Sequence, residues 1–180
     1  MLFAAISAPV GGAVIGAVIG LFGIVAGLLI NGDRAERQRR RDLHARALAA
    51  VVDYGEMPFM IFRRRSELEQ RSAERIRLSD HFSKVKAEIS TCQVLLAADG
   101  HPQVADAYEE LVFTARTVVG KEAHDAWRQE PISEDSEMNM GVLFERLAPY
   151  RSQLATFQGE LAHATLPRRQ RVARRIRELR

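Results

Sequence analysis

Hydrophobic and polar positions divide the chain into one uncharged segment and a long polar remainder. Val10 to Ile30 contains only Val, Ile, Leu, Phe, Ala and Gly, and residues 1–32 carry no Asp, Glu, Lys or Arg. A helix of these 21 residues, at about 1.5 Å rise each, is roughly 31 Å long, which matches a hydrocarbon core of about 30 Å. The pattern therefore predicts one transmembrane helix near the N-terminus.

A cleaved signal peptide is the alternative reading of this segment. It fits less well, because no basic region precedes the apolar run and the run exceeds the usual length of about 7–15 residues. Directly after the run come Arg34, Arg37, Arg39, Arg40, Arg41 and Arg46. Since Lys and Arg near a span mark its cytoplasmic side, we expect the N-terminus outside and the C-terminal domain inside, at an inner membrane. The lone Cys92 agrees with a reducing compartment.

The polar remainder shows helical periodicity almost throughout. Apolar residues step by four and three in four successive stripes. The stripes are Leu43, Ala47, Ala50, Tyr54, Met57, Ile61 and Leu68; then Leu78, Phe82, Val85, Ile89, Cys92 and Leu96; then Val104, Tyr108, Leu111, Ala115 and Val118; and Leu143, Leu147, Tyr150, Leu154, Phe157 and Leu161. Four such faces can bury one another in a single core. We therefore predict an all-α protein in which a single N-terminal transmembrane helix precedes an antiparallel four-helix bundle and a basic C-terminal helical tail.

Turn chemistry and composition set the expected boundaries. Asp99-Gly100-His101-Pro102 ends the second bundle helix and begins the third. Ser72 is a candidate N-cap between the first two, although those two helices could also be continuous. Pro58 should kink or split the first helix, residues 130–141 form the longest loop, and Leu166-Pro167 stops the fourth helix. The predicted regions are an anchor at 1–32, an arginine-rich neck at 33–42, the bundle at 43–166 and the tail at 167–180.

Small residues recur along the predicted span. The positions at four-residue steps are Ala8, Gly12, Gly16, Gly20, Gly23 and Gly27, with one step of three between Gly20 and Gly23. Stripes of this kind allow two membrane helices to approach closely, although glycine is also common in membrane helices without such a role. We expect association of the span, as a homo-oligomer or with another span.

The net charge of +3 conceals an uneven distribution. Residues 33–98 hold 14 basic and 10 acidic side chains, residues 99–166 hold 5 and 12, and residues 167–180 hold 7 and 1. Because four antiparallel helices return the chain to its starting end, the neck and tail should face the inner leaflet together, with the acidic residues further away. Anionic lipid attracts each basic residue by about 1 kcal/mol.

The tail alternates arginine with an apolar face formed by Val172, Ile176 and Leu179. Its candidate lipid contacts are Arg168, Arg169, Arg171, Arg174, Arg175 and Arg177. A basic amphipathic helix is typical of a membrane surface, and a solvated extension of the fourth helix is the alternative. We do not expect nucleic acid as a partner, because no stacking aromatics or DNA-binding motif accompany the arginines.

No catalytic constellation emerges from the polar residues. Glu160 and His163 form one Glu-x-x-His pair, whereas a bundle di-metal site needs two such pairs and two further Glu residues. Cys92 lies on an apolar stripe, which indicates a core residue more than a nucleophile. We therefore expect no enzyme activity, no metal and no cofactor.

Two apolar features stand apart from the stripes. Phe59-Met60-Ile61-Phe62 are four successive apolar residues, so they either fill a wide interior beside Pro58 or leave part of the cluster exposed for a protein partner. Trp127, among charged neighbours, should cover one end of the bundle.

The leading hypothesis is a bacterial or phage-encoded single-pass protein acting as an interaction or scaffold module. The alternatives are a phage-type membrane-perturbing protein for lysis or exclusion, and a metal- or ligand-binding bundle enzyme.

Overall fold

The computed structural model describes residues 10–65, 67–132 and 140–165, and places side chains in those ranges from residue 34 onward, except at residue 68. These residues form five α-helices and no strand: α1, Val10–Phe62; α2, Leu68–Ala98; α3, Pro102–Arg128; α4, Gly141–Arg146; and α5, Ala148–Thr165. The prediction of an all-α protein is confirmed. The chain divides into two compact units, Met1–Arg41 and Asp42–Arg180, and we call the second the bundle unit.

The predicted membrane span falls in the first of these units. Among the helices of the described residues, none is both long enough and apolar enough to cross a membrane. The backbone of Val10–Ile30 belongs to α1, but its side chains lie outside the described part of the chain, as do residues 1–9 and the whole tail 167–180.

One core connects all five helices of the bundle unit. Every predicted stripe contributes to it, and the members shared by the prediction and the core include Leu43, Tyr54, Ile89, Leu96, Tyr108, Leu111, Leu143, Tyr150 and Phe157. At the C-terminal end of α3 the buried stripe departs from the predicted one by a single residue: Val119 is buried, whereas the predicted Val118 is only half-buried. This shift arises because an α-helix has 3.6 residues per turn, so a strict alternation of four and three drifts around its surface.

Contacts between side chains give the directions of neighbouring helices. Arg46 of α1 binds Glu88 of α2, and further along α1, Asp53 Oδ1 lies 3.0 Å from His81 Nε2. The α2 partner moves backward in sequence as the α1 partner moves forward, so α2 runs antiparallel to α1.

The same reasoning places α4 and α5 against α3. Arg146 Nη1 lies 3.4 Å from Glu122 Oε2, and the ring centroids of Tyr108 and Phe157 are 5.1 Å apart. Because the later residues of one element pair with the earlier residues of the other, α4 and α5 run antiparallel to α3.

Two expectations for this part of the chain, a split of the helix at Pro58 and an N-cap at Ser72, are wrong. The helix α1 continues through Pro58 to Phe62 without splitting, and Pro58 itself is fully buried. Ser72 is not an N-cap, because α2 already begins at Leu68. In contrast, the turn between α2 and α3 is confirmed: Gly100 has a φ of 76°, the left-handed region that glycine tolerates best, and Pro102 opens α3.

The fourth predicted helix is interrupted. It consists of α4 and α5, which are separated at Leu147, where ψ is 3°. Pro149 explains the break, because it has no N–H to donate to the carbonyl of Glu145 and its ring crowds that carbonyl. Both parts still bury their apolar face, through Leu143 on one side and Tyr150 on the other. Of the predicted loop at 130–141, residues 130–132 and 140 are non-helical, Gly141 opens α4, and 133–139 lie outside the described residues.

Candidate functional site

The residues expected to associate the span belong to α1 as far as they are described. Gly12, Gly16, Gly20, Gly23 and Gly27 lie within this continuous helix. Ala8 lies outside the described residues. A helical backbone is the condition for glycines at four-residue spacing to share one face.

The neck arginines are not equivalent. Glu36 accepts hydrogen bonds from Arg39 Nε at 2.9 Å and from Arg40 Nε at 2.8 Å. Hydrogen bonds from these two guanidinium groups lower the pKa of Glu36 to about 2. Arg34, Arg37, Arg39 and Arg41 are exposed along this part of α1, whereas Arg40 is half-buried.

The remaining predicted lipid contacts cannot be placed. Arg168, Arg169, Arg171, Arg174, Arg175 and Arg177 all lie outside the described residues.

A histidine and an aspartate meet inside the end of the bundle unit at which α1 enters. The side chains of His44 and Asp99 are 8% and 0% exposed, and His44 Nε2 lies 4.0 Å from Asp99 Oδ2. Asp99 occupies the C-cap of α2. No signal in the sequence points to this pair, because its members belong to different helices at unrelated positions.

A second buried carboxylate lies between α3 and α4. Glu122 is buried, and its Oε2 lies 3.4 Å from Arg146 Nη1 while its Oε1 lies 3.8 Å from Lys121 Nζ. Two largely exposed cations therefore lie beside this buried carboxylate, and one of them, Lys121, also lies 3.5 Å from Asp125 Oδ2.

Cys92 is a core residue in the structure. It is fully buried, and its Sγ lies 3.8 Å from Glu88 Oε1. Burial is the main cause that raises the pKa of the Cys92 thiol. A raised pKa disfavours the thiolate, which is the nucleophilic form.

The half-motif of Glu160 and His163 stays isolated. Both side chains are half-buried on α5. In the described ranges, no group of three or more His, Cys, Asp or Glu side chains is arranged to hold a metal ion.

The guanidinium of Arg64 joins the C-terminal ends of α1 and α3. Its Nη1 donates to the carbonyls of Ile61 at 2.8 Å and Ala126 at 3.0 Å, and its Nη2 donates to that of Gln129. It also lies over the Trp127 ring, 5.4 Å from the centroid. The last carbonyls of a helix lack N–H partners and carry partial negative charge, so one cation stabilises both helix ends. Burial is the main cause that lowers the pKa of this guanidinium.

The apolar cluster after Pro58 lies beside this junction. Ile61 is fully buried, whereas Phe59, Met60 and Phe62 are half-buried against the core. Trp127 is also half-buried there. One residue of the cluster therefore fills the interior and the other three are half-buried against the core.

Comparisons with protein-family models, with curated proteins and with solved structures gave no match.

Proposed function

We propose that this chain is a single-pass protein of a bacterial inner membrane whose helical bundle acts as a non-catalytic interaction or scaffold module. The observation that carries the proposal is the uncharged run Val10–Ile30, which has the length of a span and is followed at once by arginines. The N-terminus would lie outside and the bundle unit in the cytoplasm. In this arrangement α4 and α5 together act as the fourth helix of an antiparallel bundle, followed by the basic tail.

Contact with anionic lipids is part of the same proposal. Arg34, Arg37 and Arg41 support it, because they are exposed on α1 directly after the apolar run. Each basic residue near an anionic leaflet contributes about 1 kcal/mol. The tail arginines would add to this attraction if α5 returns the chain to the same end.

Charges placed inside the span test the anchor. In a full-length chain expressed in bacteria with a fluorescent protein at its C-terminus, we expect most wild-type protein in the carbonate-washed membrane pellet. Ile19→Arg with Ile24→Arg should move most of it out, because each arginine at the centre of a span disfavours insertion by about 2.5–3.5 kcal/mol.

The matched control places the same two charges outside the span. Val52 and Val94 are 40% and 70% exposed in the bundle unit, so Val52→Arg with Val94→Arg should leave the protein in the pellet. Equal behaviour of the two double variants, or a wild-type protein that washes off, would contradict the anchor.

The small-residue stripe is proposed to associate copies of the span. We expect Gly16→Leu with Gly20→Leu to reduce the amount of cross-linked oligomer of the full-length protein in membranes, and unaltered oligomers would refute this role.

The same cells distinguish the alternative of a membrane-perturbing lysis or exclusion protein. A potential-sensitive dye should show that the membrane potential is kept at high expression. A collapse of the potential that Gly16→Leu abolishes would favour the alternative.

A further inference from the structure

The connection between α1 and α2 lies at the end of the bundle unit opposite to His44 and Asp99. From His44 to Phe62 the helix α1 advances 18 residues, or about 27 Å at 1.5 Å each. The antiparallel return of α2 then carries the chain back toward Asp99. The two ends of the bundle unit are therefore well separated.

Arginines are concentrated at this distant end. Arg63, Arg65 and Arg75 are exposed and Arg71 is half-exposed, and we call these four residues the arginine end. Asp106, Glu109 and Glu110 instead follow the turn near Asp99 and are exposed there.

In the described ranges, the carboxylates around the arginine end are Glu67, Glu69, Glu74 and Glu130, against six arginines when Arg64 and Arg77 are counted with the four. Glu74 is bound by Arg77, with two contacts of 2.7 and 2.8 Å between the guanidinium and the carboxylate. Glu130 Oε2 lies 4.0 Å from Arg71 Nη2. Glu67, the N-cap of α2, and Glu69, in the first turn of that helix, are both exposed.

Half-buried aromatic side chains border the same surface. The Arg63 guanidinium lies 5.9 Å from the centroid of the Phe59 ring, and Arg64 stacks similarly on Trp127. Phe62 is also half-buried. An exposed arginine beside a partly buried aromatic ring, as Arg63 lies beside Phe59, is a composition that protein interfaces favour.

We propose that the arginine end, with Phe59 and Trp127 at its border, docks an acidic peptide segment of a protein partner that also carries apolar side chains. The proposal deepens the interaction role proposed above by assigning it a surface and a class of partner. Carboxylates suit this surface, because an arginine binds a carboxylate through two parallel hydrogen bonds, as Arg77 binds Glu74.

A peptide fits better than a nucleic acid. Glu67, Glu69 and Glu130 are exposed among the arginines, and they would repel a continuous phosphate backbone. A peptide instead presents separate carboxylates with neutral residues between them, so it can pair with the arginines and place apolar side chains against the aromatic border.

Charge reversal of the arginine end tests the proposal. The probe is a short fluorescein-labelled peptide with Glu and Leu at helical spacing, titrated with the purified full-length protein in a mild detergent and followed by fluorescence anisotropy. We expect Arg63→Glu, Arg65→Glu and Arg75→Glu together to weaken binding about tenfold or more, since each exposed ion pair contributes about 0.2–1 kcal/mol and reversal adds repulsion.

The matched control reverses three exposed cations elsewhere. Lys84, Arg116 and Arg151 are exposed away from the arginine end, so Lys84→Glu, Arg116→Glu and Arg151→Glu together change the net charge equally and should weaken binding less than about threefold. If the triple variant fails to fold by circular dichroism, the single variant Arg75→Glu gives the same comparison on the surface of α2, against Lys84→Glu.

Three results would overturn the proposal. They are the absence of measurable peptide binding by the wild-type protein, equal weakening by both triple variants, and tighter binding of a labelled oligothymidylate than of the peptide. Because these measurements need no membrane, a failure here leaves the anchoring experiment unaffected, and a failed anchor leaves the docking surface to be judged separately.

Discussion

Gly55 of α1 packs directly against the ring of Tyr150 in α5. An ideal Cβ added at Gly55 would lie 2.5 Å from Tyr150 Oη and 2.8 Å from Cε1 and Cζ of the same ring. The Tyr150 hydroxyl donates to the carbonyl of Val51 at 2.8 Å, and burial is the main cause that raises the pKa of this tyrosine to about 12. We therefore expect Gly55→Ala to destabilise the protein, although alanine is the better helix former.

The magnitude follows from three opposing effects. Alanine in a helix interior gains about 1 kcal/mol over glycine. Against this, forcing extra volume into a packed contact costs about 1–3 kcal/mol, and displacing Tyr150 from Val51 loses a hydrogen bond that contributes about 1 kcal/mol. The expected net loss for Gly55→Ala is about 1–3 kcal/mol.

Gly159→Ala is the matched control for Gly55→Ala. Gly159 is exposed within α5 and nothing lies within 4 Å of its added Cβ, so this change should stabilise by about 0.5–1 kcal/mol. Urea unfolding of the full-length protein, followed by circular dichroism and by fluorescence of the single Trp127, measures both. The reasoning is wrong if Gly55→Ala stabilises as Gly159→Ala does, or if its effect persists unchanged in a Tyr150→Leu background.

Two further predictions concern charged side chains of the bundle unit. Arg64→Ala should destabilise by about 2–4 kcal/mol in the same urea assay, because it removes hydrogen bonds from a charged donor and a cation–π contact. Arg65→Ala should change stability by less than about 0.5 kcal/mol, because Arg65 is exposed and bonds to the side chain of Gln70 on the surface. Hydrogen bonds from Arg46 lower the pKa of Glu88, so the stability that Glu88 contributes is present above the unfolded pKa of about 4.3 and is lost as pH falls through the lower folded pKa. Glu88→Gln should flatten that acid limb, and an unchanged urea midpoint profile between about pH 3 and 6 would contradict it.

Local pattern predicted the helices better than their ends. The turn at Gly100 and Pro102 was predictable, because both residues act on their own backbone. The break before Pro149 follows equally local chemistry, but the unbroken apolar stripe from Leu143 to Leu161 hid it. Ser72 misled for the opposite reason: the residues just before it, Glu69 and Gln70, are good helix formers, and α2 begins at Leu68 without the capping residue.

The sequence by itself determined the all-α class and most of the buried positions, because a helix repeats its buried face every three to four residues and that period is visible in the order of residues. Tertiary structure decided which side chains meet across helices. The pairs His44 with Asp99, Gly55 with Tyr150 and Arg64 with the α3 carbonyls join residues far apart in the chain. No local period encodes such pairs, since they depend on how the helices pack and at which height they cross. The same packing places the arginine end far from His44, which the order of charges along the chain did not reveal.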